Sequence, residues 1–390
     1  MKAISFLGIT DYKDIKYEFP EKNVISTPYF PFAVKEFYKP EEYFIFMTED
    51  AKRKHFDSLS KLFSFNSVII PSGKTEDEYW EIFDKIVDKI SEEDEIIFDI
   101  TFGFRSQPVL AISALTFLKT IRNIKIAKII YGAFDAKEND KVPVFDLTPF
   151  IELMELSYAV HDFLKYGKAD LLDKHMKYIQ KYTHITKKDE KAKALSSMGK
   201  MLKELMESMS IVNTLEILKH ANNIYNKTDE LKKDLECITK TKPISLLFTT
   251  INKRIERIRN PEISNLDHSS MMKQIEIIRW FIDTNQYQQA ITLMNELFLT
   301  SECISDSLDP LLKENRLDIS KKLGDKIQEL EKKNIPDNDK EKIDLWNKLS
   351  EIRNQINHAG IKPSAAKTNT LIKNIKKQFV DLENYIKKQF

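Results

Sequence analysis

The pattern of apolar residues along the chain changes once, near residue 150. Up to about residue 147, short runs rich in β-branched and aromatic residues alternate with segments whose apolar residues recur at helical spacing. The predicted strands are residues 2–8, 43–48, 67–71, 95–100 and 126–131. Strands that are apolar almost throughout and are separated by helices indicate a parallel sheet covered on both faces. The N-terminal part is therefore predicted to be an α/β domain.

One helix of this domain is predicted for residues 78–90. Its apolar residues recur at helical spacing: Trp80, Phe83, Val87 and Ile90. We interpret Trp80 as a core residue, since large aromatic side chains dominate protein cores. After a short β-like segment at residues 141–145, Thr148 is expected to be a helix N-cap and Pro149 the first helical residue.

From Phe150 onward the pattern is helical almost throughout. Prolines mark plausible breaks between helices: Pro243, Pro261, Pro310, Pro336 and Pro363. We predict an α/β domain in residues 1–149, a helical connector in residues 150–265 and a second helical domain in residues 266–390. The predicted fold class is thus α/β plus all-α.

A polar loop leaves the predicted strand 95–100 and enters an apolar helix. Its candidate ligand-binding residues are Thr101, Gly103, Arg105 and Ser106. Ligands of open parallel sheets bind beyond the carboxyl ends of the strands, where a helix N-terminus also presents free N–H groups to anions. Gly103 lets the backbone approach a ligand closely, Arg105 can pair with a phosphate, and the two hydroxyl groups can donate hydrogen bonds.

The first predicted strand ends in a similar loop, which contains Gly8 and Thr10. Two polar loops with glycine are therefore expected at one edge of the sheet. The chain has neither a G-x-G-x-x-G segment nor a Walker lysine loop, which disfavours NAD and ATP phosphate sites. The alternative is that both loops are ordinary strand-to-helix turns and that Arg105 is a surface charge.

A second candidate site lies near the C-terminus, where Arg353 is followed after four residues by His358. The apolar stripe of the helix that carries this pair is predicted to be Leu345, Leu349, Ile352 and Ile356. Arg353, Asn354 and His358 fall off the stripe, and Gly360 supplies a stop signal just beyond the histidine.

This pair of side chains suits metal-free cleavage of RNA. Attack of a ribose 2′-OH on the adjacent phosphorus needs a proton shuttle and a cation that stabilises the phosphoryl oxygens. Histidine shuttles protons near neutral pH, and a guanidinium binds phosphate with two hydrogen bonds. A bare arginine–histidine spacing is common by chance, so the alternative is an ordinary solvated helix end.

Composition and charge narrow the classes of function. The chain has 390 residues, of which 42% are hydrophobic and 31% charged, and its 61 basic and 60 acidic residues give a net charge of +1. A net charge this close to zero argues against a protein that binds nucleic acid over its whole surface, but it is compatible with a local site for nucleic acid. No metal-ligand spacing and no membrane-length apolar run occurs. Two widely separated cysteines indicate a reducing compartment, so we expect a cytoplasmic protein.

These motifs together resemble a known family. The opening residues 4–8, the loop from Asp99 to Ser106 and the junction at residues 146–150 resemble the CARF-domain ribonucleases of type III CRISPR systems. Residues 280–290 and the final Arg353–His358 motif resemble the HEPN domain of the same family. The resemblance covers the layout of the whole chain, and the loop and the order of the motifs are its most specific elements.

The resemblance implies a homodimeric, Rossmann-like CARF sensor that binds a cyclic oligoadenylate across its two-fold axis. Cyclic tetra-adenylate is favoured over cyclic hexa-adenylate as the activator, and no cofactor or metal is implied. The ligand-binding residues that it implies are Gly8, Thr10, Thr101, Gly103, Phe104, Arg105 and Ser106.

For the C-terminal part, the resemblance implies a HEPN dimer whose two arginine–histidine motifs form one composite ribonuclease site. Arg353 would hold and neutralise the scissile phosphate of a single-stranded RNA, and His358 would serve as acid or base. Asn354 would help to position the phosphate or His358. The products would be a 2′,3′-cyclic phosphate and a 5′-hydroxyl.

Other interpretations of the sequence stay open. The chain could be a non-catalytic module that binds a cyclic oligoadenylate and recruits another factor. Alternatively, the N-terminal sheet could belong to a small-molecule enzyme in which Arg353 and His358 are structural. The sensor could also cleave its own ligand slowly.

Overall fold

The computed structural model describes residues 1–20, 23–103, 106–187, 194–237, 242–260, 267–331, 337–361 and 364–389. The chain forms two compact units, Met1–Glu152 and Leu153–Phe390. The break between them lies close to the position where the sequence pattern changes, whereas the boundary expected at residue 265 stays a prediction. No helix in the described ranges combines the length and the apolar content that a membrane crossing requires.

The first unit contains an eight-stranded sheet. The strands are β1 (Lys2–Leu7), β2 (Ile15–Glu18), β3 (Val24–Thr27), β4 (Glu42–Met47), β5 (Asn66–Ile69), β6 (Glu95–Asp99), β7 (Lys125–Gly132) and β8 (Lys141–Asp146). Their order across the sheet is β3-β2-β8-β7-β6-β1-β4-β5. The predicted strands correspond to β1, β4, β5, β6 and β7, and all of these pair in parallel with one another.

The other edge of the sheet differs from the prediction of a purely parallel sheet. β8 pairs antiparallel with β7, and β2 pairs parallel with β8 but antiparallel with β3. β2 and β3 were not predicted, because each has only four residues and β2 alternates lysine and glutamate with its apolar side chains. The sheet is therefore mixed, as is common when an edge is added to a parallel core.

Helices cover both faces of the sheet, as predicted. They are α1 (Phe30–Tyr38), α2 (Glu49–Ser60), α3 (Glu76–Lys89) and α4 (Gln107–Arg122). Successive side chains of β1 point to opposite faces: Ile4 and Phe6 pack in a core with α3 and α4, while Ala3 and Leu7 pack in a core with α1 and α2. Burial on both faces explains why the central strands are apolar throughout.

Two local predictions for this unit need correction. Trp80 is not a core residue, since it is 66% exposed on α3, where its ring makes an edge-to-face contact with Phe83. Thr148 is the first residue of the next helix, and its hydroxyl accepts a hydrogen bond from the Ile129 N–H at 2.9 Å. The helix start is thereby tied to β7, a contact that a local capping rule cannot foresee.

The regular elements described in the rest of the chain are all helices, as predicted. The helices are α5 (Thr148–Tyr166), α6 (Asp170–Lys187), α7 (Ala194–Ser210), α8 (Thr214–Asn226), α9 (Thr228–Cys237), α10 (Lys242–Ile258), α11 (His268–Asp283), α12 (Tyr287–Ser305), α13 (Lys313–Glu331), α14 (Asp337–Asn357) and α15 (Thr368–Gln389). α12 packs against α11, α13, α14 and α15, and its Phe298 ring stacks on Trp346 and Tyr385. The other four of the last five helices are thus arranged around α12.

Two glycines inside helices should respond oppositely to alanine. A Cβ on Gly199 of α7 would lie 2.9 Å from the Asp173 Cα of α6, whereas one on Gly324 of α13 would meet nothing within 4 Å. Alanine improves helix propensity by about 1 kcal/mol, but overpacking against a backbone atom costs about 1–3 kcal/mol. We therefore expect Gly324→Ala to raise the free energy of unfolding and Gly199→Ala to lower it, as measured by urea denaturation. Equal stability of the two variants would contradict the close packing of α6 and α7.

Candidate functional site

The carboxyl ends of β1 and β6 lie side by side because the two strands pair in parallel at the middle of the sheet. The loops that follow them line one cavity of about 470 Å³. The predicted ligand residues that line this cavity are Gly8, Thr10, Thr101 and Gly103. The structure therefore brings the two predicted loops together at one edge of the sheet.

The other three predicted ligand residues are not among the described residues that line the cavity. Ser106 is not among the residues that line the cavity, and its hydroxyl lies 2.9 Å from the Tyr79 hydroxyl of α3, with which it forms a hydrogen bond. Phe104 and Arg105 lie outside the described residues. The ligand-binding role of Ser106 thus remains a prediction, and its observed hydrogen bond links α3 to the start of α4.

Thr101 holds the loop after β6 to the neighbouring strand. Its hydroxyl accepts a hydrogen bond from the Gly132 N–H at 2.8 Å, and its own N–H donates to Asp99 Oδ1 at 2.8 Å. The Thr101 hydroxyl in turn donates a hydrogen bond to the Asp99 carboxyl, so this side chain ties the loop to both β6 and β7.

Asp99 is a fully buried carboxyl directly below this loop. Burial raises the pKa of Asp99 to about 6, although hydrogen bonds from Thr101 and Ser5 partly offset that rise. Asp99 Oδ2 has no hydrogen-bond partner within the described part of the protein. A buried carboxyl of this kind stabilises the loop through one oxygen and destabilises the fold when it is ionised.

Sequence reasoning missed Tyr12, which shapes the other loop. The Tyr12 hydroxyl accepts a hydrogen bond from the Gly8 N–H at 3.0 Å and donates to the Gly8 carbonyl at 3.3 Å. The Tyr12 ring packs against His55 at 4.8 Å and against Phe102 at 4.4 Å between ring centroids. These contacts hold the loops after β1 and β6 together. No sequence motif marks Tyr12, because its partners are set by the fold.

Charge at the cavity favours an anionic ligand. Lys13 lines the cavity and is exposed, and it has no ion-pair partner among the residues that the structure describes. The carboxylate of Asp11 also lines the cavity, but it pairs with Lys54 at 2.6 Å, and the hydrogen bond from Lys54 lowers the Asp11 pKa. The negative charge of Asp11 is therefore compensated, while the positive charge of Lys13 is available to a ligand.

The second candidate site lies at the end of α14. The predicted stripe is confirmed, since Leu345, Leu349 and Ile352 are buried and Ile356 packs against the same core. The helix ends close to Gly360, as predicted, but His358 lies one residue past α14 rather than in its last turn. The left-handed residue directly after His358 is Ala359, at φ +54°, and its N–H donates to the Ile356 carbonyl at 2.9 Å. The Gly360 N–H donates to the Gln355 carbonyl at 2.9 Å, which completes the C-terminal cap.

The polar residues of α14 face outward together. Arg353 is half-buried, Asn354 and His358 are exposed, and Arg353 Nη1 donates to Asn354 Oδ1 at 3.3 Å. Arg353 and Asn354 line a cavity of about 510 Å³, whereas His358 and Asn354 line a second one of about 500 Å³. Across the described ranges, Arg353 has no carboxylate partner, so its guanidinium is available to a phosphate.

Comparison with known proteins identifies the N-terminal unit. Residues 2–137 match the family model described as the CARF domain of the CRISPR system endoribonuclease Csx1. The chain contains a CARF domain. The matched residues include both loops of the 470 Å³ cavity, so this cavity belongs to the CARF domain.

A curated relative extends the likeness beyond this domain. The CRISPR-associated protein MJ1674 of Methanocaldococcus jannaschii is 28% identical over 267 residues, which cover 65% of this chain. The chain spans only 38% of the length of that relative. The resemblance to CARF proteins of type III CRISPR systems is thus confirmed, and the activity of the helical unit is a separate question.

The buried Asp99 predicts a pH dependence of stability. Its folded-state pKa, about 6, lies above its ordinary value of 3.8, so the folded state binds the proton more tightly than the unfolded state. The cost of ionising Asp99 is therefore present above pH 6 and disappears as the pH falls toward 4. We expect Asp99→Asn to raise the free energy of unfolding by about 1–3 kcal/mol at pH 7.5, and by progressively less toward pH 4.5, as measured by urea denaturation. A pH-independent difference would contradict this assignment.

Proposed function

We propose that this protein is a cyclic-oligoadenylate-activated, metal-independent endoribonuclease that cleaves single-stranded RNA in type III CRISPR antiviral defence. The observation that carries the proposal is the cavity of the CARF domain, in a chain whose helical unit also exposes an arginine and a histidine at one helix end. The first feature supports sensing of the activator, and the second supports the reaction.

The chemistry of the CARF cavity suits a cyclic oligoadenylate. Gly8 and Gly103 allow close approach of the backbone, Thr10 supplies a hydroxyl group, Thr101 forms part of the lining, and Lys13 supplies a charge for a phosphodiester. Small-molecule pockets measure about 300–1,000 Å³, and this cavity is at the smaller end of that range. A ring of four or six nucleotides needs more room, which supports a homodimer in which each copy holds half of a symmetric ring.

The groups on α14 suit cleavage by transesterification. The ribose 2′-OH attacks the adjacent phosphorus, and the bond from phosphorus to the 5′-oxygen of the next nucleotide breaks. Arg353 stabilises the charge on the phosphoryl oxygens, and His358 transfers the proton that the 2′-oxygen loses or the 5′-oxygen gains. Asn354 contacts Arg353 and borders both cavities, so it positions the guanidinium. The products are a 2′,3′-cyclic phosphate and a 5′-hydroxyl.

A homodimer would complete this site. Arg353 and His358 of one chain open into two neighbouring cavities rather than a shared one. Two copies of α14 that meet at their ends would place four groups, two arginines and two histidines, around one phosphate. Binding of the activator would then control cleavage by changing how the two copies meet, which is an allosteric coupling between two states.

The proposal predicts RNA cleavage that depends on the activator and withstands EDTA. A fluorescent single-stranded RNA should be cut with cyclic tetra-adenylate or cyclic hexa-adenylate present and left intact without them. His358→Ala should lower the rate by about 10²–10⁴-fold, since that is the usual contribution of a general acid or base. Arg353→Lys should also lower it, because lysine lacks the planar fork of donors. His161→Ala, which changes an exposed histidine of α5, is the control and should leave the rate unchanged.

Each other result of this experiment excludes part of the proposal. Undiminished cleavage by His358→Ala would exclude the assignment of the catalytic histidine. Tight binding of the activator without cleavage of RNA would favour the non-catalytic binding module.

The CARF cavity predicts a specific loss of ligand affinity. Lys13→Ala removes an unpaired cation from the cavity lining, whereas Lys16→Ala removes an exposed cation of β2 that does not line it. We expect Lys13→Ala to weaken binding of cyclic tetra-adenylate by about 10- to 150-fold at low salt, since hydrogen bonds to charged groups contribute about 1.5–3 kcal/mol, and to weaken it less at high salt. Titration calorimetry at two salt concentrations measures both effects. Equal losses in the two variants would show that only the overall charge matters.

A further inference from the structure

The cavity beside Arg353 contains more than the residues assigned to catalysis. It has a volume of about 510 Å³ and is bounded by α12, α13 and α14. Its charged lining residues are Arg353, Arg316, Lys313 and Glu296. Three cations and one carboxylate leave an excess of two positive charges, in a protein whose net charge is only +1. This local excess indicates a ligand that carries negative charge.

Buried polar groups without partners also line this cavity. Asn295 of α12 is only 3% exposed, and its Nδ2 has no hydrogen-bond partner within the described ranges. The hydroxyl of Ser350 on α14 is buried and equally without a partner there. Leaving a buried polar group unpaired costs about 1–3 kcal/mol. A ligand with hydrogen-bond acceptors in the cavity would remove that cost at both positions.

Arg316 is held where it can reach such a ligand. It pairs with Glu296, so that a carboxylate of α12 orients a guanidinium of α13. Burial lowers the pKa of Arg316, but a guanidinium keeps its charge in proteins. Lys313, one turn earlier on α13, has no ion-pair partner among the described side chains and is exposed. One preoriented and one free cation therefore border the cavity that Arg353 enters.

We propose that this cavity binds a phosphate of the RNA strand adjacent to the phosphate that is cut, with Arg316 and Lys313 as its charged ligands and Asn295 as a neutral donor. The proposal rests on the ribonuclease function proposed above and extends it to recognition of the substrate. A strand whose scissile phosphate contacts Arg353 continues directly into the cavity, because Arg353 is itself one of its walls. The contacts are to the RNA backbone, so the site adds affinity and register without base preference.

The ion pair between Arg316 and Glu296 offers a test, because substitutions of its two members should change the affinity for RNA in opposite directions. Binding of a fluorescent 2′-O-methyl RNA, which lacks the attacking hydroxyl, is measured by anisotropy with and without cyclic tetra-adenylate. Arg316→Ala should weaken RNA binding about tenfold and lower the salt dependence by about 0.7 in the log–log slope, the value for one phosphate contact on a single strand. Glu296→Gln removes the competing carboxylate and should strengthen RNA binding severalfold. Arg279→Ala breaks an ion pair with Glu383 that does not border the cavity, and it should leave RNA binding unchanged.

The outcomes separate this inference from the proposed function. If Arg316→Ala and Glu296→Gln shift the affinity in the same direction, or if neither shifts it, the ion pair is structural and the inference is wrong. Melting temperatures of all variants exclude misfolding as the cause of any loss. If the wild-type protein cleaves RNA but Arg316→Ala leaves the affinity for RNA unchanged, the inference about this cavity is wrong and the proposed ribonuclease function stands. If binding follows the predicted signs but no RNA is cleaved under any activator, the ribonuclease function fails and the RNA site stands.

Discussion

The parallel pairing of β1 with β6 is the constraint on which the CARF domain depends. Because both strands are buried on both faces and run in the same direction, the chain must leave each of them at the same edge of the sheet. The register of this pair also sets Ser5 opposite Asp99, inside the core. A cavity between the two loops and a buried carboxyl below it are therefore consequences of a single strand pairing.

The polar groups at this edge are divided between structure and binding. Tyr12, Asp99 and the acceptor side of the Thr101 hydroxyl are occupied within the protein, where they hold the two loops in place. Lys13 and the backbone of the glycine loops are left for a ligand. Such preorganisation raises affinity because the loops lose little freedom on binding. This arrangement also destabilises the protein, because the buried Asp99 carboxyl is ionised near neutral pH.

In the helical unit, contacts of α12 with its neighbouring helices fix the orientation of the polar residues on α14. The Phe298 ring stacks between side chains of α14 and α15, and the buried Glu302 carboxylate accepts a hydrogen bond from the Tyr385 hydroxyl at 2.6 Å. These contacts fix the rotation of α14, so its apolar stripe points to the core and its polar residues point outward. The same rotation brings Arg353 beside Arg316, which comes from a different helix. The proposed RNA binding and the proposed cleavage would therefore both depend on one packing arrangement.

The sequence by itself determined the class of the fold and indicated where both candidate sites lie along the chain. Continuous apolar runs identified the five parallel strands, and helical spacing identified the buried face of α14, because both are properties of a few neighbouring residues. Only the tertiary structure decided which polar groups are free. The partner of Ser106 lies on α3, that of Thr101 on β7, and that of Arg316 on α12, each many residues away. The exposure of Trp80 and the short strands β2 and β3 were missed for the same reason. Burial and pairing at these positions depend on contacts between distant parts of the chain, and a local pattern carries no information about them.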